Sequence, residues 1–327
     1  MFALFKIHFN PCARNPAMRK ILVAFTFVLG LGFMGSAPAQ SVTISEKDAT
    51  TFNATRTAAE KGDATAQYNL GVMYECGQVV ERDDVQAIIW YRKAADQGHA
   101  DAQFSLCKMY ANGLGVTRDD AQSFAWCRKA AEQGNAIAQN NLGTSYATGS
   151  GVPKDEEQAV IWYRKSAGQG FDVAQFSLAG MYLSGRGVAR DDAQAVVWLR
   201  KSADQGFAEA QYVLGGMYAK GQGVAKDDTQ AAAWLRKAAK QGDAHAQNTR
   251  GVMYKNGEGV AQDEAQAIDW YRKAADQGYA PAQYNLGKMY VAGQGVAKDY
   301  VQAVVWFRKA AAQGFVPAQD ELRKMGK

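Results

Sequence analysis

The sequence predicts an all-α fold, a solenoid of helix–turn–helix repeats, and three observations carry that prediction. All seven tryptophans, Trp90, Trp126, Trp162, Trp198, Trp234, Trp270 and Trp306, stand 36 residues apart. Tyr74, Tyr110, Tyr146, Tyr182, Tyr218, Tyr254 and Tyr290 keep the same register, as do Asp83, Asp119, Asp155, Asp191, Asp227, Asp263 and Asp299. Gln67 recurs eight times, ending at Gln319. Phase-locking of this kind is the signature of a tandem array.

The elements follow in chain order. Residues 1–39 read as an export signal: Met18-Arg19-Lys20 is a short basic start, Ile21–Met34 an apolar run of 14 residues, and Ala37-Pro38-Ala39 a small-residue cleavage site before Gln40. Fourteen helical residues span about 21 Å, short of the roughly 30 Å bilayer core. A permanent anchor is therefore the weaker reading, and Met18 is a candidate for the true start. Residues 40–50 are expected as a linker, and 51–63 as a closing half-repeat that lacks its tryptophan. Seven full units fill 64–315, and 316–327 begin an eighth that stops after one polar helix.

Within a unit the spacing alternates between helix and turn. Ala102, Leu106, Met109 and Tyr110 form the stripe of a helix with one buried face. Gly113-Leu114-Gly115-Val116 breaks it, since glycine tolerates the positive φ that closes a helix. Asp119 is the expected N-cap of the next helix, with Gln122 placed for a capping box and Gly134 for the C-cap. Ser123, Trp126, Cys127, Ala130 and Ala131 repeat the helical spacing. One hairpin lacks the surface to bury its own apolar face, so stacked neighbours share a core with the indoles as filler.

A unit such as Ala280–Tyr290, followed by Gly293-Gln294-Gly295-Val296-Ala297-Lys298-Asp299 and Gln302–Gly314, resembles a Sel-one-like repeat, a relative of the tetratricopeptide repeat. The resemblance covers residues 64–315. It implies a right-handed superhelix that scaffolds protein assemblies, often in the bacterial envelope or in host interaction. Departures are few: Asn140 and Asn248 replace an aromatic, Arg250 replaces a core leucine, and Val79 stands where other units have glycine.

The composition excludes several other functions. The net charge of +5 suggests nucleic acid, but Lys6, Arg14, Arg19 and Lys20 all lie in the leader, leaving 33 basic residues against 32 acidic ones. A nearly neutral body has little long-range pull on phosphate backbones. The ladder running from Arg92-Lys93 to Arg308-Lys309 reads as a solvated face near helix C-termini, where cations favour the dipole. An RNA-binding repeat is the third reading, and no nucleic-acid partner is expected.

Catalysis and metal binding find no constellation. Beyond the leader only His99 and His245 remain, in unrelated slots, and both read as surface histidines. The Gly-x-Gly turns lack the partners of a phosphate loop, and the aspartates that follow them would repel phosphate. Ser105-Leu106-Cys107-Lys108 fits the Ser-x-x-Lys pattern of β-lactam-recognising enzymes, so a weak β-lactam-binding or hydrolytic enzyme is the runner-up. No Ser-Asp-Asn or Lys-Thr-Gly accompanies it. No catalytic residue, cofactor or metal is expected.

Three cysteines follow the leader. Cys107 and Cys127 fall on adjacent antiparallel helices within about one turn, so either a disulfide or two buried thiols fits, the former in an oxidising compartment. Cys76 is expected to stay single.

Slots that vary while the frame stays fixed are the candidates for partner recognition. By analogy with tetratricopeptide arrays they line a concave surface formed by the first helices. One slot reads Tyr68, Phe104, Asn140, Phe176, Tyr212, Asn248 and Tyr284, with the alternative that it is partly core. Lys108, Lys255 and Lys288 come from two others. Aromatics mixed with amide and ammonium donors suit an extended peptide. The expectation is a non-catalytic scaffold, monomeric and periplasmic or secreted after cleavage near Ala39, that binds a protein or peptide.

Overall fold

The computed structural model describes residues 46–77 and 79–326. The export signal and most of the expected linker lie outside the described residues. Helix α1 spans Glu46–Glu60. The pairs that follow are α2 (Ala64–Cys76) with α3 (Asp84–Asp96) and α4 (Ala100–Asn112) with α5 (Asp120–Glu132); α6 (Ala136–Thr148) closes the first of two compact units and α7 (Glu156–Gly168) opens the second. Next come α8 (Asp172–Ser184) with α9 (Asp192–Asp204), and α10 (Ala208–Lys220) with α11 (Asp228–Lys240). The array ends with α12 (Ala244–Asn256), α13 (Glu264–Asp276), α14 (Ala280–Ala292), α15 (Tyr300–Ala312) and α16 (Val316–Lys324). The described residues are all-α, and the chain divides into two compact units between Lys154 and Asp155. In each unit consecutive helices lie side by side, the arrangement of a helical-repeat solenoid.

One boundary differs from expectation. Helix α1 begins five residues before Thr51, inside the stretch expected as linker. No glycine or proline interrupts 46–60, so nothing in the backbone chemistry stops the helix there.

Caps set the other boundaries. The second helix of each repeat starts after an aspartate whose carboxylate accepts from the amide three residues on, as Asp119 does from Gln122 at 2.9 Å. The return bond of a capping box is absent there, because the Asp119 amide donates instead to the Tyr110 carbonyl at 3.0 Å. First helices end on a left-handed glycine, for example Gly113 at φ 68°. Second helices end at a glutamine, with glycine one residue later: Gln133 rather than Gly134 is the cap of α5.

The deepest core positions are a leucine from six of the seven first helices, with Arg250 in that slot in the sixth repeat, and the residue after each tryptophan. Leu70, Leu106, Leu142, Leu178, Leu214 and Leu286 are fully buried, and Tyr91, Leu199, Leu235, Tyr271 and Phe307 nearly so. The indoles are shallower than expected. Trp126, Trp234 and Trp306 are buried, but Trp90, Trp162, Trp198 and Trp270 are only half-buried. Neighbouring positions on a helix are about 100° apart, so the residue after the tryptophan takes the inward direction.

That inward residue needs space on the facing helix. A Cβ on Gly71 would stand 2.6 Å from the Tyr91 ring, and one on Gly287 2.6 Å from Phe307. A small residue on the first helix therefore faces a large one on the second. In the second repeat this slot pair is Cys107 and Cys127, whose Cα atoms are 5.0 Å apart and whose sulfurs are bonded.

The recurrent glutamine has a specific role. Gln211 is buried, and its Nε2 donates to the Ala203 carbonyl at 3.0 Å, a side-chain donor beside the Gly206 amide for a carbonyl in the last turn of the preceding helix. Its Oε1 accepts from Gln241 at 2.9 Å, and Gln241 also donates to the Gly206 carbonyl at 2.9 Å. The same arrangement recurs at Gln103 with Ala95 and Gln133, and at Gln247 with Ala239 and Gln277. Each amide ties a turn to the repeats on either side of it.

Candidate functional site

The varying slots of the first helices are not equally open. Phe104 and Asn140 are buried, 3% and 2% exposed, and leave no side chain for a partner. Tyr68, Phe176, Tyr212, Asn248 and Tyr284 are half-buried. Their rings lean on the residue that opens the next first helix or sits just inside it: Tyr68 stacks on His99 at 4.7 Å, and Phe176 meets Phe207 at 5.2 Å. Tyr284 contacts both Phe307 and Phe315. This slot is thus mortar between repeats with one edge to solvent.

The three lysines also separate. Lys108 Nζ lies 3.2 Å from Glu75, and both side chains are largely covered. Glu75 in turn accepts from the Tyr91 hydroxyl at 2.6 Å. Burial, and then the Glu75 charge, push the Tyr91 phenol well above its ordinary value. Lys108 therefore belongs to a structural cluster. Lys288 is exposed, only loosely paired with Glu321 at 4.0 Å, and Lys255 is half-buried. Asn285 donates to Asn248 at 2.9 Å, which holds that amide on the same face. The second unit thus keeps Phe176, Tyr212, Asn248, Lys255, Tyr284 and Lys288 in reach of a partner.

Other expected features acquire partners. The basic ladder is more than a solvated face. Lys201 Nζ sits 4.2 Å from the Trp198 ring centre and Lys237 3.7 Å from Trp234, an arrangement repeated along the array. A cation over an indole screens the half-buried ring from water. The neighbouring arginine reaches the next repeat's tyrosine: Arg164 donates to Tyr182 at 2.9 Å and Arg272 to Tyr290 at 3.1 Å, while Arg92 with Tyr110 and Arg200 with Tyr218 form the same pairs. Spacing located these residues, but their partners come from the following repeat.

Of the two histidines, His245 is exposed as expected, and His99 is half-buried. His99 caps α4 by accepting from the Ala102 amide at 3.3 Å, and His245 lies between Tyr212 and Tyr279. Ser105 is buried and Lys108 is engaged, so the Ser-x-x-Lys match presents no open nucleophile. Cys76, expected to stay single, is disulfide-bonded. Among the described residues no group of three His, Cys, Asp or Glu could hold a metal ion. No helix there is long and apolar enough to cross a membrane.

The repeat frame matches a known family model. Sel1 repeats are matched at 64–99, 100–135, 136–171, 172–207, 208–243, 244–279 and 280–315. The chain belongs to the Sel1-repeat family. Two solved structures of Sel1-repeat proteins are similar over most of its length. One is c5321 of uropathogenic Escherichia coli, described as a protective antigen with this fold, at 40% identity and a TM-score of 0.79 over 82% of this chain. The chain spans 57% of that protein's length. The other is a Sel1 repeat protein from Oxalobacter formigenes, at 40% identity and a TM-score of 0.70, covering 86% of this chain and 82% of that one. Comparison with curated proteins gave no match. Sel1-repeat proteins in general mediate protein–protein interaction.

Proposed function

We propose that this Sel1-repeat protein is a non-catalytic scaffold of the bacterial envelope that holds an extended peptide or protein segment along the first helices of its second unit. One observation carries the reading. The fixed residues of the repeat, its leucines, glutamines and cap aspartates, are engaged within the frame, while Phe176, Tyr212, Asn248, Lys255, Tyr284 and Lys288 vary from repeat to repeat and retain exposed edges. Aromatic edges supply desolvated anchors, and amide and ammonium donors meet backbone carbonyls or carboxylates.

Export is supported by the leader read in residues 18–39 and by the Cys107–Cys127 bond, because stable disulfides are rare where thiols are kept reduced. The experiment is capture from an envelope extract by the immobilised mature chain, set against a Lys255→Ala/Lys288→Ala variant. A protein held by the parent and lost from the variant, with the melting temperature unchanged, supports the assignment. Equal capture by both moves the surface elsewhere.

A further inference from the structure

Arg250 is the one charged side chain buried in the core among the described residues. In the other six repeats its slot holds a fully buried leucine. The arginine is as deep, 3% exposed, yet it has no carboxylate partner among the described residues. Nη1 reaches the Ala232 carbonyl at 3.4 Å, the guanidinium carbon stands 4.6 Å over the Tyr254 ring, and the neutral Tyr254 hydroxyl is its other hydrogen-bond partner. Its Nε is buried with no acceptor.

The disturbance extends to the next helix. Arg200 and Arg272 bond the tyrosines of the repeats that follow them, Tyr218 and Tyr290. Arg236 occupies the same position before Tyr254 and makes no such bond among the described residues, because Arg250 has taken the face of that ring. Arg236 lies close enough to repel Arg250, and this repulsion adds to burial in lowering the Arg250 pKa. Arg236 is exposed and Tyr254 half-buried, so the cluster opens to solvent. Two guanidinium groups and a phenol meet there without a countercharge. A buried unpaired charge is strongly unfavourable, and a guanidinium fork fits two oxygens of one anion.

We propose that Arg236, Arg250 and Tyr254 form an oxyanion site, with the Arg250 fork and the Arg236 head group holding two oxygens of one phosphate or carboxylate group and Tyr254 flanking it. The site is separate from the partner surface and does not depend on it. Phosphate and carboxylate share this chemistry, and the two salts used in the test tell them apart.

The test is thermal unfolding of the mature chain in sodium phosphate, sodium acetate or sodium chloride at matched ionic strength. The parent protein should gain several degrees in a saturating manner from phosphate, acetate or both, and little from chloride. The gain should vanish in Arg250→Leu, which restores the residue used by the other repeats and so folds, and should shrink in Arg236→Ala. Equal gains in parent and Arg250→Leu, or equal gains from chloride, would overturn the site, as would no gain from either oxyanion. The Lys255→Ala/Lys288→Ala variant should keep the full gain, which separates this outcome from failure of the partner surface.

Discussion

Replacing Gln211 by leucine isolates the part played by the glutamine ladder. The side chain is 4% exposed, donates to the Ala203 carbonyl at 3.0 Å and accepts from Gln241 at 2.9 Å. Leucine is similar in size and more apolar, so loss of volume contributes little. The Ala203 carbonyl keeps the Gly206 amide at 3.0 Å and loses only its side-chain donor, a net bond of about 0.5–1.5 kcal/mol. Gln241 keeps its bond to the Gly206 carbonyl and adds less. At about 2–4 °C per kcal/mol for a domain of 150–250 residues, the melting temperature should fall by roughly 1–6 °C. Urea unfolding followed by helical circular dichroism measures the change directly. Gln241→Ala, at an exposed position, should cost less, and the double variant should lose less than the sum of the two. A Gln211→Leu protein within about 0.5 kcal/mol of the parent would refute the claim that this amide holds the repeats in register.

Three other outcomes follow from the same geometry. Gly187→Ala should be among the most damaging single changes, about 3 kcal/mol or more by urea midpoint, because its Cβ would collide with the Glu156 carbonyl at a positive φ of 64°. Gly206→Ala, also left-handed but facing open space, should cost only the backbone strain of about 1–2 kcal/mol. Arg250→Leu should raise stability by about 1–4 kcal/mol in a buffer free of phosphate and carboxylate, since it removes an uncompensated buried charge; a lower urea midpoint would contradict this. Burial raises the Tyr271 phenol above its ordinary value, so its contribution is complete below an unfolded pKa of about 10 and is lost as pH rises beyond it. Tyr271→Phe should flatten the alkaline limb of the stability profile, and an unchanged limb would place the cause elsewhere.

Much of this architecture was legible in the residues. The 36-residue phase located every repeat, Asp119 and Gly113 marked real caps, and the spacing of Cys107 and Cys127 on antiparallel helices foretold their proximity. What stayed hidden depends on the neighbouring repeat. Recurrence of Gln67 showed that the position mattered, but its acceptor is the Ala59 carbonyl of the preceding helix. Recurrence of Trp198 suggested a core filler, although Leu199 points inward and the indole lies under Lys201. The candidate site was legible only in part. Variation singled out Phe104 and Lys108 as readily as Tyr212 and Lys288, but burial removes the first and Glu75 engages the second. Variation in a slot does not reveal its depth. The disulfide state of Cys76 was equally hidden, because nothing in the repeat spacing pairs that cysteine.

The frame rests on one recurring contact, a small residue of the first helix against a large one of the second. The most direct test is the pair Gly215→Cys/Leu235→Cys, which transfers the Cys107–Cys127 slot pair to another repeat, where a Cβ on Gly215 would stand 2.8 Å from Leu235. Mass spectrometry of unreduced tryptic peptides after mild oxidation should find the two introduced cysteines linked to each other, with both single substitutions as controls. A helical, folded double variant in which these two thiols stay free would contradict the packing of the two helices within each hairpin described here.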